Sequence, residues 1–241
     1  EYHMKLQDLN IKIFADGADL EDMLSVYHKG VVRGFTTNPS LMKKAGVKDY
    51  KAYARDVLQR IPDDPVSFEV FSDDFVTMEK EADTLAALGD NVYVKIPVMN
   101  TKGESSAPLI QKLSAKGCKL NVTAIFTLEQ TRTVVDALSA DTPAIVSVFA
   151  GRIADAGVDA AVLMKEAAAI CAAKPKAELL WASCREFYNI IEAEKCGCQI
   201  ITVPNDILAK SKNYGKDLTA YSLETVQGFY KDASGLGFTI L

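Results

Sequence analysis

The sequence predicts an α/β protein folded as a closed (β/α)8 barrel of the TIM type, with an additional C-terminal helix. Three observations carry that expectation. Eight short runs rich in β-branched residues alternate with longer amphipathic stretches along the 241 residues. The runs are almost wholly apolar, as strands of a parallel sheet must be when helices cover them. The units recur every roughly 25–30 residues, which leaves little room for a second domain or a long linker. An open doubly wound sheet is the alternative arrangement of the same units.

The expected strands are 11–16 (IKIFAD), 31–36 (VVRGFT), 66–71 (VSFEVF), 92–98 (VYVKIPV), 119–125 (KLNVTAI), 144–150 (AIVSVFA), 178–183 (ELLWAS) and 199–203 (QIITV). A helix ending near His28 follows the first. Further helical stretches are expected at 48–60, 73–88, 104–116, 127–139, 157–172 and 185–195. Ser72 or Asp73 offers an N-cap for the second of these, and Thr127 with Gln130 forms a capping box for the fourth. A short segment near 205–211 and a final helix at about 217–232 follow the last strand. The tail from Gly235 to Leu241 is apolar, so it is expected to pack on something. Residues 4–241 are read as one barrel domain, with 217–241 as the C-terminal helix and tail. Glu1-Tyr2-His3 reads as an expression remnant ahead of a native Met4.

Composition removes several classes of function. Hydrophobic content of 49% and charged content of 24% are those of an ordinary globular enzyme. A net charge of −5 offers no basic excess to meet a phosphate backbone, so nucleic acid is not an expected partner. No apolar stretch reaches the ~18–20 residues that span a bilayer, and no signal peptide is recognised. The five cysteines, 118, 171, 184, 196 and 198, are scattered and odd in number. They suit a reducing cytoplasm better than a disulfide framework. With only His3 and His28, histidine metal sites and a Ser-His-Asp triad are not expected. Proton transfer must rest on carboxylates, Lys or Tyr.

In a barrel, catalytic groups sit at the C-terminal ends of strands and in the loops that follow. The unusual polar residues collect there. Asp16 ends strand one, Thr37 and Asn38 follow strand two, and Glu69 lies in strand three. Lys95 lies in strand four, Asn121 and Thr123 in strand five. Ser147 and Phe149, two residues apart, are expected to share a face of strand six, and Trp181 and Ser183 a face of strand seven. Arg152 and Arg185 lie just beyond those strands.

Lys95 stands out within Val92–Val98, because a buried ammonium is costly unless it is paired or loses its proton. A desolvated lysine can form a Schiff base with a carbonyl substrate. The alternative is a lysine on an edge strand that reaches out to water. Asp16 could instead cap the next helix. Glu69 between Phe68 and Val70 must be paired or functional, whereas Thr123 is at home in any strand. Each arginine alone could be a surface residue; two after consecutive late strands, one beside a serine, suggest an anion pocket.

These stretches resemble the transaldolase family, in particular its short members close to fructose-6-phosphate aldolase. The resemblance rests on Asp16, GFTTNPS at 34–40, VKIPV at 94–98, NVTAIF at 121–126, FAGRIAD at 149–155 and WASCRE at 181–186. It implies cleavage of a ketose with a dihydroxyacetone unit held on Lys95, and needs neither metal nor organic cofactor. By the same resemblance Asp16 handles the proton of the hydroxyl released on C–C cleavage, and Glu69 with Thr123 positions a catalytic water. Thr37, Asn38, Asn121, Ser147, Phe149 and Trp181 are expected to contact substrate, with Arg152, Ser183 and Arg185 around an anionic tail. Glu69 and Phe149 are the transaldolase choices, where the aldolase members carry glutamine and tyrosine. Departures from the family pattern are Gly17, Trp181 and Cys184. The expectation is therefore a transaldolase acting on sugars with an anionic tail, assembled as a homo-oligomer. Alternatives are a transaldolase for 6-deoxy-6-sulfofructose, a lyase of the fructose-6-phosphate aldolase type, and a non-catalytic sugar-phosphate binding barrel.

Overall fold

Eight parallel strands close on themselves in the computed structural model, which describes residues 5–241. The proposed expression remnant lies outside the described residues. The strands are β1 (Lys12–Asp16), β2 (Gly34–Thr36), β3 (Val66–Glu69), β4 (Val92–Pro97), β5 (Leu120–Ile125), β6 (Ala144–Val148), β7 (Ala177–Trp181) and β8 (Ile200–Pro204). They run in sequence order around the barrel, and β1 closes it by pairing with β8 over five residues, Lys12↔Ile200 to Asp16↔Pro204. The expected barrel is thus the observed one, and the open sheet is not.

Among the described residues eleven α-helices accompany the strands. They are α1 (Leu20–Lys29), α2 (Pro39–Lys44), α3 (Tyr50–Arg60), α4 (Phe75–Ala86), α5 (Ala107–Ala115), α6 (Leu128–Ala137), α7 (Ala150–Asp155), α8 (Ala160–Cys171), α9 (Tyr188–Cys196), α10 (Asn205–Leu208) and α11 (Leu218–Ser234). The capping chemistry sets several of their starts. Asp19 accepts from the Asp22 N–H and caps α1, which releases Asp16 from that job. Thr127 and Gln130 form the expected capping box of α6. The cap of α4 is Asp74, one or two residues later than expected. Asp73 instead accepts from the Thr101 N–H at 2.8 Å and its hydroxyl at 2.5 Å, tying the β3–α4 loop to the β4–α5 loop. The second strand is shorter than expected and begins at Gly34. Two six-residue helices, α2 and α7, follow β2 and β6 directly and are too short for apolar periodicity to reveal.

Strand alternation divides the core in two. The larger part fills the space between strands and helices, with Phe35, Phe68, Val94, Ile96, Val122 and Leu179 fully buried there. The smaller part lies inside the barrel and is built from Phe14, Tyr93, Ile145, Leu180, Ala182 and Ile200. Phe14 needs Gly34 beside it on β2: a Cβ at Gly34 would lie 2.6 Å from the Phe14 ring. That plug closes the barrel below and leaves the polar residues of the same face at its C-terminal mouth.

Helix α11 departs from this pattern. All of its residues, and the tail after it, are exposed, including Leu223, Val226, Phe229, Tyr230 and Phe238. The apolar tail expected to find a packing surface finds none on its own barrel. In proteins most helical stability comes from packing an apolar face, and that of α11 stands open to solvent. Among the described residues no helix is long and apolar enough to cross a membrane.

Candidate active site

At the mouth, inward-pointing residues of β1, β2, β4, β6, β7 and β8 meet around one cavity. The register sets Glu69 opposite Lys95, and Lys95 opposite Asn121. Lys95 is 7% exposed and donates from Nζ to the Thr37 carbonyl at 3.1 Å. Among the described residues no carboxylate lies within 4.0 Å of that nitrogen. Lys95 is therefore a buried amine in a closed barrel, and the edge-strand alternative falls with the absence of an edge.

Two carboxyls flank it. Asp16 accepts from the Thr36 hydroxyl at 2.9 Å, and that hydroxyl also bonds Thr202 on β8. Burial pushes the Asp16 carboxyl above its ordinary range, while the Lys95 charge and the Thr36 bond pull it back in part. Burial raises Glu69 in the same way, with Lys95 opposing. The Glu69 carbonyl accepts from the Tyr50 hydroxyl at 2.6 Å, which ties the end of β3 to α3.

A buried amide network underlies the pocket. Ser147 donates to Asn121 Oδ1 at 2.6 Å, and Asn121 Nδ2 donates to Ser67 at 3.0 Å. The Thr37 hydroxyl donates to the Ser67 carbonyl at 2.7 Å. Asn38 caps α2 through its side-chain oxygen, which accepts from the Leu41 N–H at 2.8 Å. The hydroxyl of Thr123 is buried without a protein partner.

A cavity of about 140 Å³ is lined by Asp16, Thr36, Asn38, Lys95, Ser147, Phe149, Arg152, Ser183, Arg185 and Thr202. A groove of about 540 Å³ adjoins it at Asp16, bordered by Gly17, Leu41 and Lys44, and a Cβ at Gly17 would meet nothing within 4 Å. Glu69 borders another groove of about 470 Å³, shared with Pro39, Pro97 and Met99. Arg152 and Arg185 are both exposed; the first lies 5.8 Å over the Phe149 ring and the second pairs with Asp155 at 2.6 Å. The β6–β7 side is tightly joined, because a Cβ at Gly151 would lie 1.7 Å from the Ser183 carbonyl oxygen.

The structure brings Asp16, Asn38, Lys95, Ser147, Phe149, Arg152, Ser183 and Arg185 around one cavity. Ser147 and Phe149 share a face as expected. Trp181 and Ser183 do not, and this expectation is corrected. Leu180 and Ala182 occupy the interior, so alternation turns Trp181 outward, where it borders a groove with Ala160 and Asn189. Strand β7 ends at Trp181, and Ser183, with φ of +62°, re-enters the mouth from the loop. Thr37, Asn121 and Thr123 are buried near the cavity and do not line it. Sequence reasoning noted Thr36 only within the string after strand two and passed over Ser67 and Thr202, since serine and threonine in strands are unremarkable; the spacing of two between Ser67 and Glu69, and between Thr202 and the inner Ile200, was the available signal.

The Transaldolase/Fructose-6-phosphate aldolase family model matches residues 13–240. A probable transaldolase of Methanococcus maripaludis is 37% identical over 205 residues, 85% of this chain and 91% of the relative. One of Caldicellulosiruptor saccharolyticus is 36% identical over 224 residues, 92% and 96% of the two chains. A third, from Erythrobacter litoralis, is 32% identical over 232 residues, 96% of this chain and all of the relative. With a closed barrel whose mouth gathers a buried lysine between two raised carboxyls, the chain belongs to the transaldolase/fructose-6-phosphate aldolase family.

Proposed function

We propose that this protein is a transaldolase that moves a dihydroxyacetone unit from a ketose with an anionic tail to an aldose acceptor. The buried, carboxylate-flanked amine of Lys95 carries this reading. The amine, as its free base, attacks the ketone carbon, the protonated Glu69 carboxyl delivers a proton through water to the resulting hydroxyl, water leaves, and a protonated imine forms. Asp16 takes the proton of the neighbouring hydroxyl as the C–C bond breaks, and the bonding pair moves into the imine, giving an enamine and a free aldehyde. The acceptor aldehyde then reverses these steps. The raised Asp16 carboxyl supports this role, because a proton acceptor works best with its pKa moved toward the working pH. Glu69 and the unpartnered Thr123 hydroxyl hold a water for the proton transfers on nitrogen. Thr37, Asn38, Asn121 and Ser147 set the polar shape of the three-carbon site. No metal and no organic cofactor takes part.

Arg152, Ser183 and Arg185 receive the anionic tail, phosphate or sulfonate. Phe149 favours transfer over free cleavage, because it brings no hydroxyl to protonate the enamine. The exposed apolar face of α11 supports a homo-oligomer, and five free thiols support a reducing compartment such as the cytoplasm. The test is borohydride reduction with a donor ketose present, followed by peptide mass analysis. The expected result is a three-carbon adduct on Lys95 alone; no adduct, or one elsewhere, overturns the reading. Donors bearing phosphate, sulfonate or hydroxyl at carbon six then assign the tail. Dihydroxyacetone release without acceptor should be slow in wild type and faster in Phe149→Tyr; fast release by wild type assigns a lyase.

A further inference from the structure

We propose that Thr202 is a positioning residue that acts on Asp16 through the hydroxyl of Thr36. The inference rests on the proposed role of Asp16 and deepens it. Closure of the barrel makes β1 the neighbour of both β2 and β8, so three residues distant in sequence form one chain of hydrogen bonds. Thr36 is 1% and Thr202 5% exposed, and both border the cavity that holds Asp16 and Lys95.

The direction of the chain follows from counting protons. A hydroxyl has one proton to donate, and an ionised carboxylate can only accept. Thr36 donates to Asp16 Oδ1 at 2.9 Å, so the bond between the two threonines must be donated by Thr202. Each donation polarises the next, and Thr202 thereby strengthens the hold of Thr36 on the ionised carboxylate. When Asp16 gains a proton it can donate to Thr36, and the Thr36 proton can turn toward Thr202. The hydroxyl pair thus follows the charge of Asp16 without a heavy atom moving far.

The charged and titratable groups around Asp16 are Lys95 from β4, Cys184 from the loop after β7, Arg152 and Arg185 across the cavity, and Asp19, Asp22, Lys44 and Asp206 around the adjoining groove. None of these is altered by a change at Thr202. A shift in the titration of Asp16 on replacing Thr202 therefore reports the hydroxyl chain.

The experiment measures transfer from fructose 6-phosphate to an aldotetrose phosphate, as a function of pH, in the full chain. Thr202→Val removes the hydroxyl at nearly constant shape and Thr202→Ser keeps it. The Val variant should lower kcat about threefold to tenfold with KM within about twofold, and move the acid limb of kcat to higher pH. The Ser variant should behave as wild type. In a Thr36→Val background, adding Thr202→Val should change nothing further, since its effect travels through Thr36. Thermal melts accompany each variant, and Thr202→Ala carries the same prediction if the Val variant does not fold. A rise in KM at constant kcat, additive losses in the double variant, or equal losses in the Ser and Val variants overturns the proposal. Asp16→Asn separates this failure from a deeper one: full activity in that variant overturns the role of Asp16, whereas its loss beside an unaffected Thr202→Val overturns the hydroxyl chain alone.

Discussion

The two sides of the barrel mouth are built on opposite terms. On the β1–β5 side, Lys95, Asn121 and Thr36 are buried, and hydrogen bonds at 2.6–3.1 Å fix them to groups on other strands and to the Thr37 carbonyl after β2. On the β6–β7 side, Arg152 and Arg185 are exposed, and the ion pair of Arg185 is to an equally exposed Asp155. Burial raises the Asp16 and Glu69 carboxyls above their ordinary range, which acid–base chemistry needs, and water would undo it. An anion has to enter and leave, and exposed guanidinium groups can exchange one carboxylate for another oxyanion at little cost. Under the proposed function one mouth serves both demands by dividing them between strands.

The comparison is broken most severely at Lys95. Lys95→Met should fold and lose turnover by roughly a thousandfold or more, because the covalent route itself is gone. Substantial remaining activity would show that the buried side does not hold the reactive group.

Arg185→Ala tests the exposed side. A lost charge-assisted hydrogen bond costs roughly 1.5–3 kcal/mol, about tenfold to more than a hundredfold in kcat/KM for a ketose with an anionic tail. For a ketose lacking the anion the loss should be small. Equal losses for both donors would move the tail site elsewhere.

Gly151 holds the exposed side together, since a Cβ there would lie 1.7 Å from the Ser183 carbonyl oxygen. Gly151→Ala should destabilise the fold by about 1–3 kcal/mol, as overpacking does, and weaken binding of the anionic donor by displacing α7, which carries Arg152, from the loop that carries Ser183. A denaturant melt and KM for the anionic donor check both parts.

The smallest effect concerns the stability of the buried side. Asp16 has its folded pKa raised, mainly by burial, so its ionised form is disfavoured in the fold. Its contribution is fully present below the ordinary carboxylate value of about 3.9 and is lost as pH rises through the raised one. Asp16→Asn should therefore melt a few degrees above wild type at neutral pH, with the gap closing below about pH 4. A gap that stays constant with pH would mean that the change acts by packing.

Much of this architecture was legible along the chain. Eight apolar runs at regular spacing announced the barrel, and Lys95 and Glu69 were conspicuous because a charge among β-branched residues has no ordinary explanation. Asp16 was ambiguous until the cap of α1 proved to be Asp19. Trp181 was misplaced for a local reason: the rule of alternate residues holds only while the strand lasts, and β7 ends at Trp181. Thr202 was silent, because threonine in a strand is common and its partner lies 166 positions away.

By itself the sequence determined the number and order of the strands, through short, almost wholly apolar runs at regular spacing, and the family, through motif strings that survive as strings. Only the tertiary structure decided which side chains meet. Closure sets β8 against β1, the register sets Glu69 against Lys95, and a single positive φ returns Ser183 to the mouth. Those outcomes depend on contacts between residues far apart in the chain, and no local propensity encodes them.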